Sequence, residues 1–135
     1  VQDQLLDRDN FGIASFSIDP FNDTPSVLKK YAERYGVVNM DWHLMSGPLE
    51  EVYDLANEGF NIFAQQMPNA PGGFEHAGMF ALVDKNGFLR SRVDPFGNPI
   101  IYYRGAIDHE IGVNDHGETD QIEALITDIK KLLEE

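Results

Sequence analysis

Residues 79–93 read MFALVDKNGFLRSRV, two runs of strand-forming residues joined by Asp84, Lys85, Asn86 and Gly87. Asn86 and Gly87 are residue types that accept the positive φ of a tight turn, so the stretch predicts a β-hairpin and with it antiparallel pairing. On its N-terminal side, FGIASFSID (11–19) carries small and apolar residues on both alternating faces, the pattern of a parallel strand covered from two sides. The next stretch, PFNDTPSVLKKYAERYG (20–36), predicts a helix capped by Asp23 or Thr24, opened by Pro25 and stopped at Gly36. Its Val27, Leu28, Tyr31, Ala32 and Tyr35 fall on one face that should pack on the sheet. A short strand follows at DWHLMSG (41–47). A second helix follows at GPLEEVYDLANEGF (47–60), with Leu49, Val52, Tyr53 and Ala56 as its buried stripe. Residues 61–78, rich in Pro, Gly and Asn, read as a long loop with His76 at its end. Beyond the hairpin come a turn at Phe96 to Pro99, a strand at Ile100 to Tyr103 and a polar connector at 108–118. TDQIEALITDIKKLLEE (119–135) is a terminal helix with a capping box at Asp120 and Glu123, and Ile122, Leu125, Ile126, Ile129 and Leu133 form its stripe. A parallel half joined to an antiparallel half gives the fold class: α/β, a mixed sheet flanked by helices.

The composition narrows the function classes. With 135 residues and 42% apolar content the chain suits one domain with one core. A formal charge of -13 sets up a surface field that repels phosphate backbones and anionic headgroups, which argues against nucleic acid as a partner. The absence of cysteine excludes a disulfide framework, a thiolate metal site and a thiol nucleophile within this chain, and leaves the redox compartment undetermined. No apolar stretch approaches the roughly 18 residues of a membrane span. The opening VQDQLLDRDN has no initiator Met and no signal-peptide pattern. It reads either as the last turn of a helix whose beginning lies upstream or as a frayed terminus.

Few side chains offer chemistry. His76 is either a histidine bonded to a loop carbonyl or a metal ligand, since neutral imidazole is a common nitrogen donor to copper or zinc. Met40, His43 and Met45 are soft donors, with His43 and Met45 on one strand face, but core packing or a half-buried edge is the better account, since Met is an ordinary gap-filler. The pairs Asp108-His109 and Asp115-His116, with Glu110, Glu118 and Asp120, could hold a cation or simply form a solvated acidic loop, and they lack regular ligand spacing. No Gly-rich nucleotide fingerprint joins a strand to a helix, and no serine sits in a nucleophile elbow. No self-sufficient active site emerges.

Taken in order, FSIDPFNDTPSVLKKYAERYG (16–36), WHLMSG (42–47) and FEHAGMFALVDKNGFLR (74–90) resemble the Sco/SenC family of thioredoxin-fold copper proteins. The likeness runs from about Phe11 to Arg92 and resumes in the terminal helix. It implies a protein that delivers copper to the copper-site subunit of cytochrome c oxidase, or reduces that site's disulfide, in an extracytoplasmic, periplasmic or membrane-anchored location. It also implies that copper is held by two cysteines of a C-x-x-x-C-P motif and one histidine, whose position His76 occupies. The cysteine pair has no counterpart here, so the family mechanism of copper transfer or thiol-disulfide exchange is beyond these residues alone. The resemblance therefore makes residues 1–135 a single partial thioredoxin-like domain, incomplete at the N-terminus, with the missing strand belonging between the strand at Ile13 and that at Met79. Such a fragment should repair its sheet by pairing 13–18 directly with 79–84, or by strand exchange in a homodimer. Segment 94–117 is longer than a simple link between hairpin and final helix, which adds an edge strand or a contact surface. The alternative is a cysteine-free thioredoxin-like binding module without metal or redox activity. A third reading is a metal site built from His76 with Met79, or from His109 and His116.

Overall fold

In the computed structural model, which describes residues 1–5, 8–38, 41–107 and 110–135, the chain divides into two units. One is Gln2–Ala77; the other is Gly78–Glu135 together with Val1.

The first unit begins with β1 (Ile13–Phe16), which leads into α1 (Pro25–Arg34) and pairs in parallel with β2 (Trp42–Met45). Pro25 opens α1 as expected, and Gly36, at φ +63, takes the left-handed position that ends it. Between the strand and the helix, the Ser17 hydroxyl donates to Asp23 Oδ2 at 2.5 Å, and Asp19 N–H donates to Ser17 Oγ at 3.0 Å. These bonds fold the Asp-Pro loop back on itself. The Trp42 indole N–H donates to Ser15 Oγ at 3.1 Å across the parallel pair. Coverage on two sides is not what this unit shows. Phe16 is 45% exposed, and α1 contributes no buried residue although it carries the expected apolar stripe. A two-stranded sheet is too narrow to cover that stripe, so Val27, Tyr31 and Tyr35 remain largely open.

α2 (Leu49–Asp54) buries Val52, and its helix then widens into a π-turn at Leu55–Gly59. The stretch read as a long loop contains β3 (Ala64–Gln66) and β4 (Phe74–His76), an antiparallel pair. Its connection, residues 67–73, is closed by Met67 N–H to Gly73 O at 2.9 Å. Polar composition concealed this hairpin, because alternation is hard to detect over three residues.

In the second unit, β5 (Met79–Val83) pairs antiparallel with β6 (Leu89–Arg90) through Leu82 and Val83, as the opening stretch predicts. β7 (Arg92–Val93) pairs with β8 (Pro99–Ile100), and β9 (Tyr102–Arg104) returns to pair with Met79, Phe80 and Ala81 of β5. Each of β1 and β5 finds its ladder partners inside its own unit.

The hairpin turn also differs in kind. Positive φ occurs at Gly87 (+85) and not at Asn86, and Asp84 Oδ1 accepts the N–H groups of Asn86 and Phe88 at 2.9 and 3.0 Å. The same five-residue turn recurs at 94–98, where Asp94 Oδ1 accepts Phe96 and Asn98 and Gly97 stands at +90. It recurs again at 114–118, where Asn114 Oδ1 accepts His116 and Glu118 and Gly117 stands at +76. An Asx side chain replaces the inward backbone partners that a two-residue turn would supply, and only the fourth position then needs glycine. The last of these turns closes a Val113–Thr119 bridge, so part of the expected polar connector is a third small hairpin.

α3 (Ile122–Leu132) buries Leu125, Ile126 and Ile129, the centre of its predicted stripe, and packs on β9. Asp120 Oδ1 accepts the Ile122 N–H at 2.9 Å, two residues on, and the residue at the N-cap is Gln121 where the expected capping box had Asp120. Gln121 pins the helix start to β9: its Oε1 accepts Arg104 N–H at 2.8 Å and its own N–H donates to Arg104 O at 3.0 Å. Tyr103, 1% exposed, donates its hydroxyl to Asp128 Oδ2 at 2.9 Å, and Arg92 grips the same carboxylate with bonds of 2.7 and 3.0 Å. Burial pushes the Asp128 carboxyl up, but the bonds from Arg92 and Tyr103 outweigh it and leave it below the usual carboxylate range. Burial first, then the bond to Asp128, pushes the Tyr103 phenol up to about 12.

Candidate functional site

His76 closes β4 opposite Ala64 of β3. Its side chain is exposed, while Ala64 is only 4% exposed, so the hairpin buries the residue opposite and presents the imidazole. The adjoining pair, Gln65 and Glu75, is joined by Gln65 Nε2 donating to Glu75 Oε2 at 3.1 Å. Ala77 N–H donates to Phe63 O at 2.8 Å and extends the ladder one step past the histidine. The His76 Nδ1 lies 3.4 Å from Ala77 O, a long contact. When that nitrogen carries the proton, the ring's lone pair is on Nε2, the nitrogen then free to act as a donor.

The hairpin is held from behind by a residue that sequence reading passed over. Asn57, in the π-turn after α2, bonds both backbone groups of Ala64: its Nδ2 donates to Ala64 O at 2.9 Å, and its Oδ1 accepts Ala64 N–H at 3.1 Å. The same Nδ2 donates to Tyr53 O at 3.0 Å, and the Tyr53 hydroxyl donates to Ile18 O at 3.3 Å. No sequence signal marks Asn57, because an asparagine at the end of an amphipathic stripe looks like an ordinary polar flank.

The remaining candidates disperse. His43 is exposed on β2, beside a shallow groove of about 420 Å³ between residues 9–14 and Asp41. Met45, on the same strand face, is half-buried, and its carbonyl accepts Ser17 N–H at 2.8 Å. His116 occupies the exposed third position of an Asx turn, and Glu118 is engaged by Asn114 Nδ2 at 2.9 Å and by Arg104 at 3.4 Å. Met40, Asp108 and His109 lie outside the described residues. Among the described residues no group of three or more His, Asp or Glu side chains is placed to hold a metal ion. Nor is any described helix long and apolar enough to cross a membrane. Copper held by protein side chains needs several donors, and His76 supplies one; the chain has no thiolate to add to it.

The family model described as SCO1/SenC matches residues 1–107. The SCO1 protein homolog of Bacillus subtilis (strain 168) is 33% identical over 76 residues, which cover 56% of this chain and 39% of that protein. The chain therefore spans about two fifths of the length of this curated relative. The crystal structure of a SCO1/SenC family lipoprotein from Bacillus anthracis str. Ames superposes with a TM-score of 0.68 at 22% identity, covering 97% of this chain and 66% of that one. The fold is shared, and it is the thioredoxin-like, Sco-type α/β fold expected from the motif order.

Proposed function

The chain belongs to the SCO1/SenC family, and from that premise we propose that it is part of a Sco-like copper-binding and thiol-disulfide protein serving the assembly of the copper site of cytochrome c oxidase. Copper is its cargo, His76 is the ligand these residues contribute, and the two sulfur donors come from polypeptide other than these 135 residues. The observation that carries this reading is the exposed imidazole closing β4, within the stretch the family model matches. Thiolates suit Cu(I) and an added imidazole extends the set toward Cu(II), so a mixed set serves a carrier that meets both states. Residues 1–135 act in this proposal as one thioredoxin-like domain, and the family match running across the boundary at Gly78 supports that. The proposed location is extracytoplasmic and membrane-anchored, supported by the lipoprotein of the same family that shares the fold. The proposed partners are the copper-site subunit of the oxidase and a second copy of this chain, paired through the edge of β1 away from β2.

The test is a Cu(II) titration of the purified chain, its intact mass verified, followed by electron paramagnetic resonance and light scattering. The expected result is nitrogen coordination that disappears in His76→Ala, with a dimer mass for the homodimer. An unchanged copper spectrum in His76→Ala overturns the metal assignment and favours a cysteine-free binding module. A monomer mass removes the homodimer.

A further inference from the structure

We infer that Asn57 is the positioning residue for His76, an assignment that rests on the copper reading above for its purpose but not for its geometry. The β3–β4 hairpin is three residues long on each strand, so its own ladder is short. A two-stranded hairpin of that size is marginal in water unless something else fixes it. The fixing comes from one amide. Asn57 bonds the N–H and C=O of Ala64 as a neighbouring strand would, and Ala64 is the register partner of His76. Its third bond, to Tyr53 O, ties that pseudo-strand to α2. Ile62 N–H to Ala56 O at 2.8 Å and Phe60 N–H to Leu55 O at 2.9 Å lock the connecting chain, and Asn61 at φ +50 makes the bend.

The π-turn makes this reach available. An extra residue per turn at Leu55–Gly59 displaces Asn57 from the regular helical register, and interruptions of this kind recur at functional sites. The backbone around Asn61 takes up a left-handed conformation that non-glycine residues adopt at a cost. A helix end, a bend and one side chain therefore act together to fix where β3 lies, and β3 sets where the imidazole of β4 stands. A ligand displaced by even one ångström loses much of its value in a metal site, which is why the clamp matters to function.

The experiment compares the full chain with Asn57→Ala, Asn57→Asp and His76→Ala by amide hydrogen exchange, and by Cu(II)-induced broadening of the histidine ring resonances. In Asn57→Ala, exchange at Ala64 and Ala77 should accelerate about tenfold, the equivalent of one lost net hydrogen bond, and selective broadening of His76 should weaken about tenfold. Amides of β1 and β2 should keep their protection. Asn57→Asp keeps the acceptor for Ala64 N–H and should restore part of both effects, which guards against simple misfolding of the alanine variant. Unchanged exchange at Ala77 together with unchanged His76 broadening in Asn57→Ala overturns the assignment. So does equal loss of protection throughout residues 2–77, which marks Asn57 as a general stabiliser. If the wild-type His76 broadens no more than His43 and His116, the copper reading fails by itself, while exchange at Ala77 still decides the clamp.

Discussion

Tyr103→Phe removes one buried hydroxyl of the 78–135 unit and leaves its ring in place. The residue is 1% exposed, and its hydroxyl donates to Asp128 Oδ2 at 2.9 Å beside the Arg92 grip on the same carboxylate. Phenylalanine fills the same space. At neutral pH the variant should lose about 1.5 kcal/mol, the low end for a hydrogen bond to a charged group, because Arg92 keeps Asp128 paired. At alkaline pH the sign turns. The folded phenol holds its proton up to about 12, against 10.0 in a model peptide, so between those values the unfolded chain releases a proton that the folded one keeps. Stability is then fully present below pH 10 and drains away as pH rises through the folded value. Two pKa units amount to about 2.7 kcal/mol. The wild-type advantage should therefore shrink across that window, cross zero and end about 1 kcal/mol in the variant's favour. Urea unfolding of both proteins by circular dichroism at a series of pH values reads the gap, and the difference between their tyrosinate absorbance titrations reads the Tyr103 pKa directly. A gap that stays constant from neutral to strongly alkaline pH, or a Tyr103 that titrates with the exposed tyrosines, refutes the reasoning.

Two further outcomes follow from the second unit. Gly78→Ala places a Cβ against the Ala106 Cβ with backbone atoms at 3.2 and 3.4 Å behind it, whereas Gly105→Ala meets only the Phe80 ring, itself 42% exposed. Overpacking against a backbone should cost about 1–3 kcal/mol, and Gly105→Ala should cost less because the ring can swing toward solvent; equal urea midpoints for the two variants would contradict this. In the first Asx turn, Asp84→Ala should lower the melting temperature, whereas Asp84→Asn should largely retain it, since Asn114 performs the same role in the third turn. The bond from Phe88 N–H leads the causes that hold the Asp84 carboxyl below its ordinary range, so its contribution is present above pH 3.8 and fades as pH falls through the depressed value. The asparagine variant should lack that acid limb in thermal melts.

How much was legible differs from element to element. The hairpin at 79–93 could be read because its turn residues and strand formers act over a few positions, yet its turn type was missed. Asn-Gly favours a two-residue turn, but Asp84 four residues before Phe88 offers two acceptor bonds that stabilise the longer one. The stripe of α3 was readable because an 11-residue helix samples the 3.6-residue period about three times, and its central positions are the buried ones. The same logic overestimated α1, whose stripe is present but largely open. For the candidate site, the family motifs singled out His76 as the residue to examine, while Asn57 left no trace in the pattern.

The sequence by itself determined the mixed α/β class, the hairpin at 79–93, the stripe of α3 and the candidacy of His76, because each depends on side chains close together along the chain. Only the tertiary structure decided that residues 61–78 form a hairpin, that Asn57 supplies Ala64 with strand-like bonds, and that Tyr103 and Arg92 converge on Asp128. Those contacts join residues 7, 25 and 36 positions apart. A hydrogen bond depends on position within a few tenths of an ångström, and no periodicity of the chain encodes that distance.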